Sequence, residues 1–171
     1  MIIVRPERIA DYPVIGELNR AAFGQDNEAN LILRIRQADG FDPELSLVAE
    51  RRDEIVGHIL FSPVRIETSG PVVAALALAP MAVRPDLQGR GVGSQLVEAG
   101  LEACRRRSQR IVVVVGHPEY YPRFGFAPAE PLGLKAPFPV PEEAFMALAL
   151  VPAALDGISG VVRYPPCFEG A

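Results

Sequence analysis

The sequence has few of the residues that build metal sites and disulfide frameworks. Of its 171 residues only two are histidine and two are cysteine, Cys104 and Cys167. The two cysteines lack the spacing of a metal site and provide no disulfide framework, which is typical of a protein from a reducing compartment. We therefore expect no metal cofactor.

Long apolar runs and an excess of positive charge are also missing. No run of 18 apolar residues occurs, the first residues lack the charged-then-apolar layout of a secretory leader, and the net charge is −4. The one basic cluster, residues 105–110, follows a helical pattern, where cations complement the helix dipole. We expect a cytoplasmic protein that has neither a membrane nor a nucleic acid as its partner.

The common nucleotide-binding motifs are absent. A P-loop requires G-x-x-x-x-G-K-[ST], but the single lysine, Lys135, lies far downstream of the glycine-rich segment. A dinucleotide-binding fingerprint requires G-x-G-x-x-G, whereas the spacing from Gly89 is G-x-G-x-G. Both of these phosphate-binding classes are therefore excluded.

A glycine-rich segment does stand between an extended apolar stretch, residues 72–83, and a helical pattern over residues 92–107. Its glycines, Gly89, Gly91 and Gly93, permit backbone conformations closed to other residues and let another molecule approach closely. The first amide groups of the following helix have no intrahelical partners and lie at the positive end of its dipole. The pattern favours a phosphate or pyrophosphate site. Taken alone, it fits a glycine-rich turn without a ligand equally well.

The spacing of Gln88, Gly91 and Gly93 fits [RQ]-x-x-G-x-[GA] and resembles the acetyl-CoA pyrophosphate loop of the GNAT superfamily of N-acetyltransferases. Downstream, residues 121–126 are similar to that family's Y-x-x-x-G-F. Two motifs in this order, separated by a helix and a strand, are more specific than the loop alone. The wider sequence, including the tail at residues 164–168, resembles the YhbS-like subgroup of predicted acetyltransferases.

The resemblance implies an acetyl-CoA-dependent N-acetyltransferase that moves the acetyl group from the CoA thioester to a primary amine by direct transfer in a ternary complex. Tyr121 matches the family tyrosine that acts as general acid toward the departing thiolate, and a tyrosine with a pKa of about 10 is protonated at neutral pH. The alternative is an aromatic packing residue. The main chain before the loop would pair with the pantetheine arm and supply an oxyanion donor. The cofactor-binding residues implied by the resemblance are Met81, Ala82, Val83, Gln88, Gly89, Arg90, Gly91, Val92, Gly93 and Ser94.

Two departures from the family pattern keep a rival function open. Val114 stands seven positions before Tyr121, where many members have asparagine, and no glutamate stands in the strand before the loop. The rival is a non-catalytic CoA or acyl-CoA-binding sensor or interaction module. We assign no general base, because each polar candidate also fits solvated surface or local packing. These candidates are Glu28, Glu50, His58, His117 and Glu119.

The hydrophobic pattern predicts an α/β fold of the α+β type. The run Ile111–Val115 is uninterrupted and β-branched, as in a buried parallel strand. We expect a GNAT-like mixed, mostly antiparallel sheet with flanking helices and a central β-α-β unit that carries the acetyl-CoA loop. Strands are predicted at residues 2–5, 46–49, 55–64, 72–83, 111–115, 144–150 and 160–164, and helices at 11–23, 28–37 and 91–107.

A chain of this length is the size of one domain, and we expect a single GNAT-like domain over residues 1–171. Its core would span about residues 1–127, and the proline-rich segment 128–171 would complete the sheet and the acceptor site. The resemblance places the acceptor amine, a small molecule or a protein amine, between residues 23–37 and 132–152. An exposed C-terminal strand would allow a homodimer.

Overall fold

The computed structural model describes residues 1–170, and its elements follow the predicted order with small shifts in their bounds. Three helices are formed: α1 Tyr12–Phe23, α2 Asn27–Gln37 and α3 Val92–Arg106. The strands are β1 Ile3–Pro6, β2 Ser46–Arg51, β3 Glu54–Thr68, β4 Val73–Val83, β5 Ile111–Val115, β6 Ala127–Pro128, β7 Leu134–Lys135, β8 Phe145–Ala149 and β9 Gly160–Arg163. The two-residue strands β6 and β7 are too short to leave a period in the sequence.

Helix α1 shows how local sequence sets the limits of an element. The helix begins one residue later than predicted, so Asp11 precedes it; the Asp11 carboxylate accepts from the Arg8 amide at 2.7 Å and makes no cap bond to the first turn of α1. The helix ends at Gly24, whose φ of 70° places it in the left-handed region. The Gly24 N–H donates to the carbonyl of Arg20, which satisfies one of the terminal carbonyls.

The chain divides into two compact units, which are described separately. Unit 1 comprises residues 1–62, residues 79–103 and the end of the chain from Pro166. Unit 2 comprises residues 63–78 and 104–165. The prediction of a single domain stays a prediction.

Unit 1 contains α1, α2, most of α3 and the antiparallel pairs β1–β2 and β2–β3. The β2–β3 hairpin turns at Arg52 and Asp53, whose φ angles of 53° and 63° match the left-handed turn that suits twisted antiparallel strands. Its core is formed where α1 and α2 pack on β2 and β3. The buried side chains of this cluster are Ile15, Leu31, Ile32, Ile35, Val48 and Leu60.

Unit 2 contains β5 to β9 together with the adjoining parts of β3 and β4. Strand β4 pairs parallel with β5, and β5 pairs antiparallel with β8 over the whole of Ile111–Val115. Strand β8 also pairs with β6, and β9 pairs with both β3 and β7. Since Val112 and Val113 are fully buried, the prediction of a buried parallel strand is confirmed.

The sheet is mixed and mostly antiparallel, as predicted. The pairs β4–β5 and β7–β9 are parallel, whereas β1–β2, β2–β3, β3–β9, β5–β8 and β6–β8 are antiparallel. Segment 128–171 supplies β7, β8 and β9. Strand β9 has β3 on one side and β7 on the other, so little of its edge is left for pairing across a homodimer. No helix within residues 1–170 has the length and apolarity to cross a bilayer.

Candidate functional site

The glycine-rich loop in unit 1 has the backbone that its sequence predicts. Gly89 and Gly91 adopt φ angles of 76° and 87°, and a Cβ added at either position would meet no atom within 4 Å. Glycine is therefore required at both positions by the left-handed conformation and not by crowding. Both residues are exposed, so the loop presents its main chain to solvent.

Helix α3 starts directly after the loop, at Val92, and Gly91 accepts from the Gln95 amide at 3.1 Å. The amides of Val92 and Gly93 belong to the first helical turn, where no carbonyl four residues earlier lies within the helix. They lie at the positive end of the dipole of a 15-residue helix, which favours an anion.

The first turns of α3 are held on β3 by a close approach at Gly57. A Cβ at Gly57 would lie 2.8 Å from Leu96 Cδ1 and 3.2 Å from Val92 Cγ1. Val92 and Leu96 are both buried. Because these contacts leave no room for a side chain, β3 fixes the position of the helix start and of the loop joined to it.

The strand end before the loop carries the other predicted cofactor-binding residues. Ala82 is buried, and Met81 and Val83 are partly exposed on β4. The side-chain amide of Gln88 donates to the Val83 carbonyl at 3.0 Å. Gln88 therefore ties the loop back to the strand, a structural role that its spacing in the motif does not reveal. Arg90, also among the predicted residues, is exposed.

Tyr121 lies in unit 2 at the start of a short 3-10 segment, Tyr121–Phe124, and its side chain is packed by other rings. Tyr120 and Phe126 make edge-to-face contacts with it, with ring centroids 5.1 and 5.6 Å away. The residue is only 7% exposed, and burial, with a smaller contribution from Tyr120, raises the pKa of Tyr121 to about 12. The phenol is thus protonated over the physiological range and is available as a hydrogen-bond donor.

A pocket of about 330 Å³ opens in unit 2 within the predicted acceptor segment. Its lining includes the buried side chains Leu134 and Phe145 and three charged residues, Glu130, Lys135 and Glu142. Lys135 is the single lysine of the chain. Glu130 and Glu142 were not predictable from the sequence, because acidic residues in a proline-rich segment follow no pattern of their own.

The polar candidates for a general base are engaged elsewhere or exposed. His58 is completely buried in unit 1, with Nε2 2.9 Å from Ser46 Oγ. Glu50 accepts from Arg5 at 2.6 Å, and Glu28 accepts from the side chain of Gln25 at 3.1 Å. His117 and Glu119 are exposed. Burial excludes His58 as a base that meets a substrate.

The buried acid Glu7 lies next to Ser46 and His58. Ser46 Oγ donates to Glu7 Oε1 at 2.6 Å, and Arg36 donates to both Glu7 oxygens at 2.9 and 3.0 Å. Burial opposes the ionisation of Glu7, but hydrogen bonds with His58, Arg36 and Ser46 outweigh it and lower the pKa of Glu7 to about 2. We call Glu7, Arg36, Ser46 and His58 the buried polar cluster.

The protonation of this cluster follows from its hydrogen bonds. The hydroxyl of Ser46 is used on the Glu7 carboxylate, so its oxygen accepts from His58 Nε2–H. His58 Nδ1 has no hydrogen-bond partner within residues 1–170. Burial lowers the pKa of His58, which keeps the imidazole neutral.

Among residues 1–170, no group of three or more His, Cys, Asp or Glu side chains is arranged to hold a metal ion.

Comparison with known protein families gives one family model that matches most of the chain. A model described as an acetyltransferase (GNAT) domain matches residues 4–129.

Two proteins of Escherichia coli (strain K12) are similar over much of their length. The N-acetyltransferase YjhQ is 41% identical over 137 residues, which are 78% of this chain and 75% of that protein. The N-acetyltransferase YhbS is 36% identical over 169 residues, 98% of this chain and 99% of that protein.

Two solved structures have the same fold with a CoA ligand bound. The crystal structure of YhbS from Escherichia coli in complex with CoA has a TM-score of 0.89 and 35% identity, covering 98% of this chain and 91% of that chain. A GNAT family acetyltransferase from Brucella melitensis in complex with acetyl-CoA has a TM-score of 0.80 and 32% identity, and 99% of each chain is covered.

Proposed function

This chain belongs to the GNAT acetyltransferase family and is an acyltransferase; from that premise we propose that it transfers the acetyl group of acetyl-CoA to a primary amine. The observation that carries the proposal is the loop of Gly89 and Gly91, left-handed and exposed, at the first turn of α3. The CoA and acetyl-CoA found with the two structural relatives support acetyl-CoA as the donor.

The pyrophosphate of acetyl-CoA is bound mainly by main-chain amides. The amides of the loop and of the first turn of α3 supply donors and a positive dipole end, which an anion requires. The exposed side chain of Arg90 adds a positive charge on the same loop. The proposed cofactor-binding residues are those implied by the resemblance, namely Met81, Ala82, Val83, Gln88, Gly89, Arg90, Gly91, Val92, Gly93 and Ser94.

The proposed reaction is a direct transfer in a ternary complex. The amine nitrogen attacks the thioester carbonyl carbon, a C–N bond forms, the C–S bond breaks, and the sulfur leaves as a thiolate. Tyr121 is the proposed general acid: its hydroxyl, kept protonated by burial, donates to the departing sulfur. The proton that the amine loses passes to water, since no side chain is assigned as base. Cys104 is fully buried, which argues against an acetylated cysteine intermediate.

The pocket in unit 2 is the proposed place for the acceptor. Glu130 and Glu142 favour a cationic ammonium group over a neutral ligand, and Leu134 and Phe145 provide an apolar floor. Phe145 pairs with Val115, the last residue of β5, a few residues before Tyr121 in the chain. An amine with a short apolar body suits this lining.

The experiment is an acetyl-transfer assay that follows both CoA thiol release and the mass of the acetylated product. The panel contains aliphatic monoamines, diamines, amino acids and lysine-containing peptides, each matched with its N-methylated tertiary amine as a control. We expect thiol release with at least one primary amine and none with its tertiary counterpart. Saturable acetyl-CoA binding without product from any amine favours the rival, a non-catalytic CoA-binding sensor.

A further inference from the structure

We propose that Gly116 is a positioning residue for Tyr121: the absence of a side chain at residue 116 creates the space in which the phenol ring sits. The inference rests on the proposed function, in which Tyr121 is the general acid. Gly116 follows the last residue of β5 and lies within unit 2, as Tyr121 does.

The contact between the two residues is the evidence. A Cβ built on Gly116 would overlap Tyr121 Cε2 and would lie 2.9 Å from Cδ2 and 3.3 Å from Cζ. These atoms form one edge of the ring and include the carbon that bears the hydroxyl. Gly116 is not among the residues with a positive φ, so its backbone is open to alanine. Space for the ring is therefore what requires glycine here.

Neither Gly116 nor Tyr121 has room to move away from the other. The Gly116 amide donates to the Ala144 carbonyl at 3.0 Å, and the preceding residue, Val115, is paired with Phe145 in the β5–β8 ladder. On the other partner, the ring of Tyr121 is packed edge-to-face by Tyr120 and Phe126. A methyl group at residue 116 must therefore turn or shift the phenol ring.

A shift of the ring also moves the Tyr121 hydroxyl, because Cζ, the carbon that bears it, is one of the crowded atoms. Catalytic groups act over hydrogen-bond distances, and a misplacement of about 1 Å costs on the order of a hundredfold in rate. The main-chain loop that is proposed to bind acetyl-CoA belongs to unit 1 and makes no use of residue 116. Gly116 thus affects the chemical step rather than binding of the donor.

The test is the variant Gly116→Ala, measured with the amine found in the transfer assay. We expect kcat to fall at least tenfold while KM for acetyl-CoA stays within threefold. In the Tyr121→Phe background, Gly116→Ala should change kcat by less than twofold, because the hydroxyl through which it acts is gone. If Gly116→Ala does not fold, the double variant Gly116→Ala/Phe126→Leu gives the ring room and should fold, and its kcat should lie at least tenfold below that of Phe126→Leu alone; equal kcat values for these two variants would overturn the positioning role.

Gly100→Ala is the matched control, because a Cβ at Gly100 would lie 2.7 Å from Cζ of Phe61 and so crowds a ring in a similar way. We expect it to lower the melting temperature and to leave kcat within threefold. A wild-type kcat in Gly116→Ala, or an equal loss from Gly116→Ala in the wild-type and Tyr121→Phe backgrounds, would overturn the positioning role. Full activity of Tyr121→Phe alone would instead overturn the acid assignment in the proposed function.

Discussion

At the scale of single residues, the candidate site uses main-chain conformation and ring packing more than charged side chains. Gly91 contributes a left-handed backbone at the start of α3, and Tyr121 contributes a buried phenol whose pKa is raised to about 12. The motif spacing in the sequence predicted both residues. The space at Gly116 was not predictable, since it exists only after the chain from Gly116 to Tyr121 folds back on itself.

Replacing Gly91 with valine should weaken acetyl-CoA binding at least tenfold, which corresponds to about 1.4 kcal/mol. Valine is strained at a φ of 87°, so the loop amides must move from their positions. Calorimetric titration measures the effect. Gly157→Val is the control, because Gly157 has a similar φ of 73° and equally open surroundings in the other unit. Equal affinity of the two folded variants for acetyl-CoA would contradict the loop assignment.

Replacing Tyr121 with phenylalanine should lower kcat at least tenfold and leave the dissociation constant of acetyl-CoA nearly unchanged, the pattern of an interaction made mainly in the transition state. The ring packing is retained, so the variant should fold. The check is kcat and KM from thiol release, with Tyr164→Phe as the control, since burial also raises the pKa of Tyr164 to about 12. Equal kcat values for Tyr121→Phe and the wild type would show that Tyr121 is a packing residue and not the general acid.

At the scale of secondary-structure elements, the buried polar cluster connects the chain after β1 with β2, β3 and α2. Glu7 and Arg36 have side chains only 2% and 8% exposed, and the guanidinium of Arg36 also lies 3.6 Å from the ring centre of Tyr12. Removal of one member of a buried ion pair leaves the other charge uncompensated. Helix α2 is therefore fixed by a charge pair in addition to its apolar face.

Replacing Arg36 with leucine should lower the free energy of unfolding by about 3 kcal/mol, the usual cost of an uncompensated buried charge. Urea denaturation at pH 7.5 measures the change. Arg20→Leu is the control: its pair with Asp26 is largely exposed and should be worth less than about 1 kcal/mol. If the free energy of unfolding falls by the same amount in both variants, the buried pair stabilises α2 no more than an exposed pair does.

The same cluster predicts how stability depends on pH. The pKa of His58 lies below its ordinary value of 6.5, because burial disfavours the imidazolium ion more than Glu7 favours it. The unfolded chain therefore takes up a proton below about pH 6.5 that the folded chain does not, and stability decreases as pH is lowered through this range. Glu7 acts in the same direction at lower pH: its contribution is present above 4.5 and is lost as pH falls through about 2.

The measurement is the free energy of unfolding in urea at pH 7.5 and pH 5.5 for the wild type, His58→Gln and His117→Gln. We expect the wild type to lose stability between the two pH values and His58→Gln to lose clearly less. His117 is exposed, so His117→Gln should keep the wild-type slope. The same pH slope in all three proteins would show that His58 is not the group that titrates.

Element boundaries were largely predictable because the apolar periods are long and the turns carry clear signals. Helix α2 and strand β5 agree with the sequence to within a residue at each end. The buried polar cluster was not predictable, since Glu7, Arg36, Ser46 and His58 lie on four separate segments and follow no shared pattern. The short strands β6 and β7 depend on partners far along the chain, at β8 and β9.

At the scale of the whole molecule, the GNAT family and its mixed sheet could be expected from two spaced motifs, and the family model, the E. coli relatives and the CoA-bound structures agree with that expectation. The proposed acceptor pocket was harder to predict. Its lining includes Glu130 and Glu142, which have no regular spacing in the sequence. A donor common to a family leaves a motif, whereas an acceptor particular to one member does not.

A calorimetric titration of the purified protein with acetyl-CoA, CoA and ATP under identical conditions tests whether the chain binds a CoA thioester. We expect saturable binding of acetyl-CoA and CoA at one site per chain and much weaker binding of ATP, which shares the adenine and phosphates but lacks the pantetheine arm. Absence of binding by all three ligands would contradict the acetyl-CoA assignment, since the loop at Gly89 and Gly91 would then be a turn without a ligand.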